Sequence, residues 1–170
     1  MSRMSKNLEF NFEGFAGVVK EETVKPYQVP VYKVALVRES SQSSVVESIK
    51  RPQDVYEIAK NYLAGVDREN FVVMMLDTKN KIIGINTVAI GVLSSCPVHP
   101  REVFKPAILC NSAGIVLIHN HPSGDNSPSQ DDLLMTNRLK EAGEVLGIPV
   151  VDHVIVGEGN FVSLKERGQI

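Results

Sequence analysis

The apolar run Ile115–His119, IVLIH, and the polar sequence that follows it to Asp132, NHPSGDNSPSQDD, constrain this chain more than any other stretch. A short apolar run rich in Ile and Val, released by Gly114 and closed by a Pro/Gly loop, reads as a buried strand. Side chains alternate along a strand, so His119 and His121 point to the same face and both imidazoles can reach one ion. The turn formers of Pro122–Pro128 let the chain double back to Ser129-x-x-Asp132, where a helix should begin. A carboxylate returned by that turn supplies a third ligand. Three protein ligands with one open position is the arrangement of a catalytic rather than a structural zinc. Asp125 and Asp131 flank the stretch, and the spacing favours Asp132 as the ligand.

Each residue also has a plainer role. Ser129 and Asp132 match a capping box and can simply close a helix N-terminus. His119 and His121 can be ordinary histidines at a strand end. The pairing of both patterns with a loop of the right length favours a metal site, and a capping hydroxyl at Ser129 can serve both purposes. Of the other imidazoles, His99 reads as preceding or capping a helix. His153, beside Asp152 on a Val-rich segment, reads as a hydrogen-bonded structural histidine.

Around this stretch the chain alternates between strand and helix signals. Val29–Arg38, VPVYKVALVR, has the β-branched texture of a strand. Pro52–Leu63 carries apolar residues at helical spacing, with Pro52 suited to a first turn and Gly65 as a stop. Residues 71–77 and 81–91 read as an antiparallel hairpin turning at Thr78-Lys79-Asn80. His99-Pro100-Arg101-Glu102 opens a second helix through about Cys110. The third runs from near Ser129 to about Val145, with Leu134, Leu139, Ala142 and Leu146 available for the core. PVVDHVIVG, residues 149–157, is a last strand, followed by FVSL. Strands interleaved with helices in this way predict an α/β fold around a mixed sheet. The division expected is a leader over residues 1–27 and one domain over 28–170.

Composition narrows the function classes. With 170 residues, 43% hydrophobic and 22% charged, the chain can bury a core without disulfides or structural metal. Its net charge of -2 and pI near 6.1 disfavour generic binding to phosphate backbones. Cys96 and Cys110 match no metal or redox spacing and read as reduced, half-buried thiols. No segment has the apolar core of a signal peptide or the length of a membrane span, so the expectation is a cytoplasmic protein with no membrane partner. The letters HNH at 119–121 do not make an HNH nuclease, whose residues are dispersed over a larger element.

DRENF at 67–71, VHPREVF at 98–104, HNHPSGDNSPSQDD at 119–132 and VDHVIVG at 151–157 together resemble the JAMM, or MPN-type, zinc metalloproteases, and within them the RadC-like bacterial proteins. The resemblance spans about residues 50–165. It implies a curved mixed β-sheet flanked by helices, of the cytidine-deaminase-like kind, and one Zn2+ per chain held by His119, His121 and Asp132. It also implies a catalytic Ser129 that polarises the substrate carbonyl, and an upstream glutamate that exchanges protons with the zinc-bound water. Glu69 and Glu102 are the candidates for that glutamate. Glu69, just before the apolar strand, stands where JAMM domains place it. The activity implied is cleavage of a peptide or isopeptide amide bond in a peptide or protein substrate. The alternatives are a non-catalytic MPN-type binding module or a DNA-repair accessory protein. Many longer relatives carry a helix-hairpin-helix segment ahead of the catalytic part, whereas residues 1–50 here read as strand and loop.

Overall fold

Pro52 at the first turn and the Asp54 carboxylate, which accepts from the main-chain N–H groups of Lys50 and Arg51, start helix α1, Pro52–Tyr62. The computed structural model describes residues 27–91 and 98–170. After α1 the order is β1 (Asn70–Leu76), β2 (Ile82–Ile90), α2 (Pro100–Leu109), β3 (Gly114–Asn120), α3 (Gln130–Leu146), β4 (Val150–Val156) and β5 (Phe161–Ser163). The α1 boundary falls at Tyr62 with Leu63 as the cap, and Gly65 takes up the left-handed turn beyond it.

The strands form one open sheet in the order β2-β1-β3-β4-β5, antiparallel throughout except for the parallel pair β3–β4. A parallel pair needs a crossover, and α3 supplies it. The β1–β2 hairpin closes as expected, with Asn80 left-handed and the Asp77 carboxylate accepting from Lys79 and Lys81 N–H. Every residue of β1 and β3 is buried, because these central strands have helices on both faces. On one face Val55, Ile58 and Ala59 of α1 pack with Val72, Met74, Val116, Ile118 and Val154. On the other, Val103, Phe104 and Ala107 of α2 and Leu139 of α3 pack with Phe71, Val73, Ile115 and Leu117. The result is a mixed sheet flanked by helices, as the sequence predicted. Among the described residues no helix is long and apolar enough to cross a membrane.

Two local expectations fail. Val29–Arg38 forms no strand: residues 27–43 carry no secondary structure, and Val31 and Val37 are 94% and 88% exposed. β-propensity records a fit to a pleated, half-buried surface, and this segment has no strand partner among the described residues. In α3, Leu134 and Leu146 are exposed, and the buried positions are Asp132, Thr136, Leu139 and Gly143. The helix turns a partly polar face to the sheet, and that face belongs to the site. Val34–Ile170 cluster as one compact unit. Of the leader expected over residues 1–27, residues 1–26 lie outside the described residues, as does Cys96, while Cys110 is a free, half-buried thiol.

Candidate metal centre

β3 delivers its two histidines at the end of the sheet. His119 is fully buried on the α2/α3 face, stacked on Phe71, its antiparallel partner, with ring centroids 6.1 Å apart. His121 lies just past the strand and is still tied to β4, its N–H donating to Val156 O at 3.0 Å. Gly124 N donates back to His121 O and the Asp125 carboxylate accepts from Ser127 N, so the loop is a chain of tight turns that ends at α3.

At the start of α3 the capping box is complete. Ser129 Oγ accepts from Asp132 N at 3.1 Å, and Asp132 Oδ2 accepts from Ser129 N at 2.8 Å and from Ser129 Oγ at 2.7 Å. These bonds aim the carboxylate at the strand end. Asp132 Oδ1 stands 3.3 Å from His119 Nε2, Oδ2 stands 3.6 Å from His121 Nε2, and the two Nε2 atoms are 2.9 Å apart. The plain reading of Ser129 and Asp132 as a capping box is therefore realised, and the same hydrogen bonds leave the Asp132 carboxylate facing both imidazoles.

The donor set fits a small divalent cation. Ligand atoms about 2.0–2.1 Å from a tetrahedral ion stand about 3.3 Å from one another, close to the 2.9, 3.3 and 3.6 Å found here. His121 Nδ1 lies 2.6 Å from Asp125 O. A carbonyl only accepts, so Nδ1 carries the proton and Nε2 presents its lone pair to the cluster. The groups are electrically primed as well. Burial pushes the Asp132 carboxyl up, but the pull of the neighbouring His119 and His121 rings outweighs this and holds it well below the usual carboxylate range. The Asp132 carboxylate, which accepts from the His121 ring in its protonated form, raises His121, with the Glu69 charge adding to the effect. His119, His121 and Asp132 can thus hold a metal ion, with all three ligand atoms within 4.8 Å of one another.

The sequence model described as RadC-like JAB domain matches residues 49–169, the span that holds every strand, helix and ligand above. The chain belongs to the RadC-like JAB domain family. It is 49% identical over 129 residues to a UPF0758 protein of Desulfitobacterium hafniense, covering 76% of this chain and 57% of that one. Against a UPF0758 protein of Moorella thermoacetica it is 52% identical over 119 residues, covering 70% and 52% respectively. A UPF0758 protein of Methanosarcina mazei is 43% identical over 138 residues, covering 81% and 60%. The chain spans between half and two thirds of the length of these relatives.

In this RadC-like domain the two candidate glutamates sit in different places. Glu69 is half-buried at the head of β1, two residues before Phe71, which pairs with His119. Extending that antiparallel register by two residues sets Glu69 opposite His121, consistent with its charge acting on that ring. Glu102 lies on the outer turn of α2, its carboxylate taken by Lys105 at 2.7 Å. His99 caps α2, accepting from Arg101 N, as expected. Asp125 contributes its carbonyl rather than its carboxylate, and Asp131 is exposed.

Two residues near the site, Asn120 and Thr136, went unassigned in the sequence, and His153 was read without its partners. Asn120, between the ligands, points to the opposite face, where Oδ1 accepts from Asn70 N at 2.9 Å and Nδ2 donates to Arg68 O at 3.1 Å. It thus grips the backbone on both sides of Glu69. His153 is hydrogen-bonded, as read, but to His119 Nδ1 at 2.8 Å and Thr136 Oγ1 at 2.6 Å, not to Asp152 through its ring. Burial drives it well below the ordinary histidine value. Thr136 follows Asp132 by four residues, a spacing that puts both on one helix face. That spacing was the available signal.

Proposed function

We propose that this RadC-like domain is a zinc-dependent hydrolase that cleaves an amide bond in a peptide or protein. The observation that carries the reading is the convergence of His119 Nε2, His121 Nε2 and the Asp132 carboxylate at tetrahedral spacing, with the charge of Glu69 acting on His121. Two imidazoles and one carboxylate suit zinc with an open position. When bound, the ion supplies Lewis acidity and lowers the pKa of a water from about 15.7 to about 7.

The chain's own residues supply the rest. Glu69 accepts the proton released in the attack and returns it to the leaving amine. The Ser129 hydroxyl, whose proton rests on Asp132 Oδ2 in this structure, turns to donate to the developing oxyanion while its main-chain N–H keeps the cap. A groove of about 640 Å³, lined by Tyr56, Leu63, Asn120, His121, Gly124 and Gly157 among others, lies on the α1 face of the sheet and reaches the site only at His121. The net charge of -2 favours a polypeptide over a nucleic acid in that groove. The reading includes a cytoplasmic setting, where the thiols stay reduced.

The test is a peptide-library cleavage assay run with two variants. Glu69→Gln keeps every ligand and loses the proton acceptor, so zinc content stays while hydrolysis falls about 10²–10⁴-fold. Glu102→Gln keeps both. Abolition by Glu102→Gln with an active Glu69→Gln reverses the assignment.

A further inference from the structure

The ligand His119 uses only one of its ring nitrogens on the cluster, and its other nitrogen opens a line of buried polar atoms. His119 Nδ1 meets His153 Nε2 at 2.8 Å, His153 Nδ1 meets Thr136 Oγ1 at 2.6 Å, and Thr136 Oγ1 meets Asp132 O at 2.6 Å. His119, Thr136 and His153 are each no more than 1% exposed, so the directions of these bonds have to be settled inside the protein.

The last acceptor settles them. Asp132 O is a carbonyl and can only accept, so the Thr136 hydroxyl donates to it, as threonines within helices commonly do to the carbonyl four residues back. With its single proton spent, Thr136 Oγ1 accepts from His153 Nδ1–H. His153 is fully buried with no carboxylate hydrogen-bonded to its ring, and a neutral ring protonated at Nδ1 presents a lone pair at Nε2. That lone pair accepts from His119 Nδ1–H, which leaves His119 Nε2 bare and aimed at His121 Nε2 and Asp132 Oδ1. The relay starts at the carbonyl of one ligand residue and ends at the ring of another, so α3 and β3 set each other's geometry.

We propose that His153 and Thr136 are positioning residues of the metal centre, fixing His119 as the Nδ1–H tautomer with its Nε2 lone pair on the ion. This rests on the metal-site reading above. It extends that reading to two residues that touch neither metal nor substrate. Outer partners of this kind orient a ligand ring and raise its basicity, and their loss typically weakens metal binding about 10–100-fold.

The experiment measures zinc affinity of the full chain by competition with a chelating dye. It also records long-range 1H–15N imidazole spectra of the wild-type protein. Thr136→Val keeps the shape and removes the hydroxyl, and is expected to bind zinc about 10–100-fold more weakly. Thr136→Ser restores the hydroxyl and the affinity, a rescue that a mere packing role does not give. In the wild-type spectra His153 is expected as the neutral Nδ1–H tautomer, a readout that stands even where a variant fails to fold. Undiminished zinc binding by folded Thr136→Val, or an Nε2–H tautomer at His153, overturns the relay while leaving the metal site standing. Failure of the wild-type chain to bind zinc at all overturns both.

Discussion

On the proposed hydrolase reading, replacing Asn120 by Ala separates Glu69, the proposed proton carrier, from the residues proposed to hold the metal. Asn120 Oδ1 accepts from Asn70 N, and Nδ2 donates to Arg68 O, so the peptide groups before and after Glu69 are both held by one side chain. After truncation Arg68 O keeps a partner, because Asn70 Nδ2 also donates to it at 2.9 Å. Asn70 N, on a residue only 6% exposed, loses its side-chain acceptor. An unpaired buried donor costs about 1–3 kcal/mol. A loss of about 2 kcal/mol corresponds to a fall in Tm of about 4–8 °C for a chain of this size.

Glu69 O still accepts from Gly91 N at 2.8 Å, so the strand start remains attached but loses its grip from β3. A carboxylate displaced by about 1 Å lowers turnover about 10²-fold. His119 and His121 are held by their own bonds to β4 and the loop, and zinc affinity stays within a few-fold of wild type. The assay pairs thermal unfolding of the metal-free protein with peptide hydrolysis and zinc titration. Unchanged Tm and hydrolysis refute the clamp. A loss of zinc as large as the loss of hydrolysis refutes the claim that Asn120 serves Glu69 rather than the ligands.

Gly157→Ala tests the latch between the β4–β5 turn and the site loop, since an added Cβ would stand 2.4 Å from Gly124 O and 2.5 Å from Asn160 Oδ1. The loop must move, taking Asp125 O off His121, and zinc affinity is expected to fall about 10–100-fold in a folded protein. The pH dependence follows from His121, which the Asp132 hydrogen bond raises. In metal-free protein its stabilising contribution is complete below the unfolded value of about 6.5 and is lost as pH rises through the raised folded value. Zinc needs the same ring deprotonated, so zinc affinity climbs with pH through that raised value and then levels. An affinity that is flat across this range contradicts the assignment of His121 as a ligand.

The cluster of His119, His121 and Asp132 was legible in the sequence because its geometry is local. His119 and His121 share a face by strand alternation, and Ser129-x-x-Asp132 announces a helix start through its own capping bonds. Glu69 was singled out only through the resemblance, since any approach to His121 depends on β1 pairing with β3 across some fifty residues, in a register that sets Phe71 opposite His119. The role of His153 was out of reach for the same reason. The parallel register sets it opposite Leu117, one strand over from His119, and neither neighbour can be inferred from the text around Asp152. The strand expected at Val29–Arg38 shows the reverse error, a strong local preference without a neighbouring edge to express it. In α3 the apolar count was half right: Leu139 and Ala142 pack on the core, while Asp132 and Thr136 take the other inward positions and Leu134 and Leu146 turn outward.

The account stands on His119, His121 and Asp132 holding one ion. Elemental analysis of the purified chain, repeated after stripping with a chelator and reloading, measures this most directly. The expected result is close to one zinc per chain in the wild type and none retained by Asp132→Ala. A chain that neither carries nor rebinds zinc, or one whose zinc survives Asp132→Ala, contradicts the site.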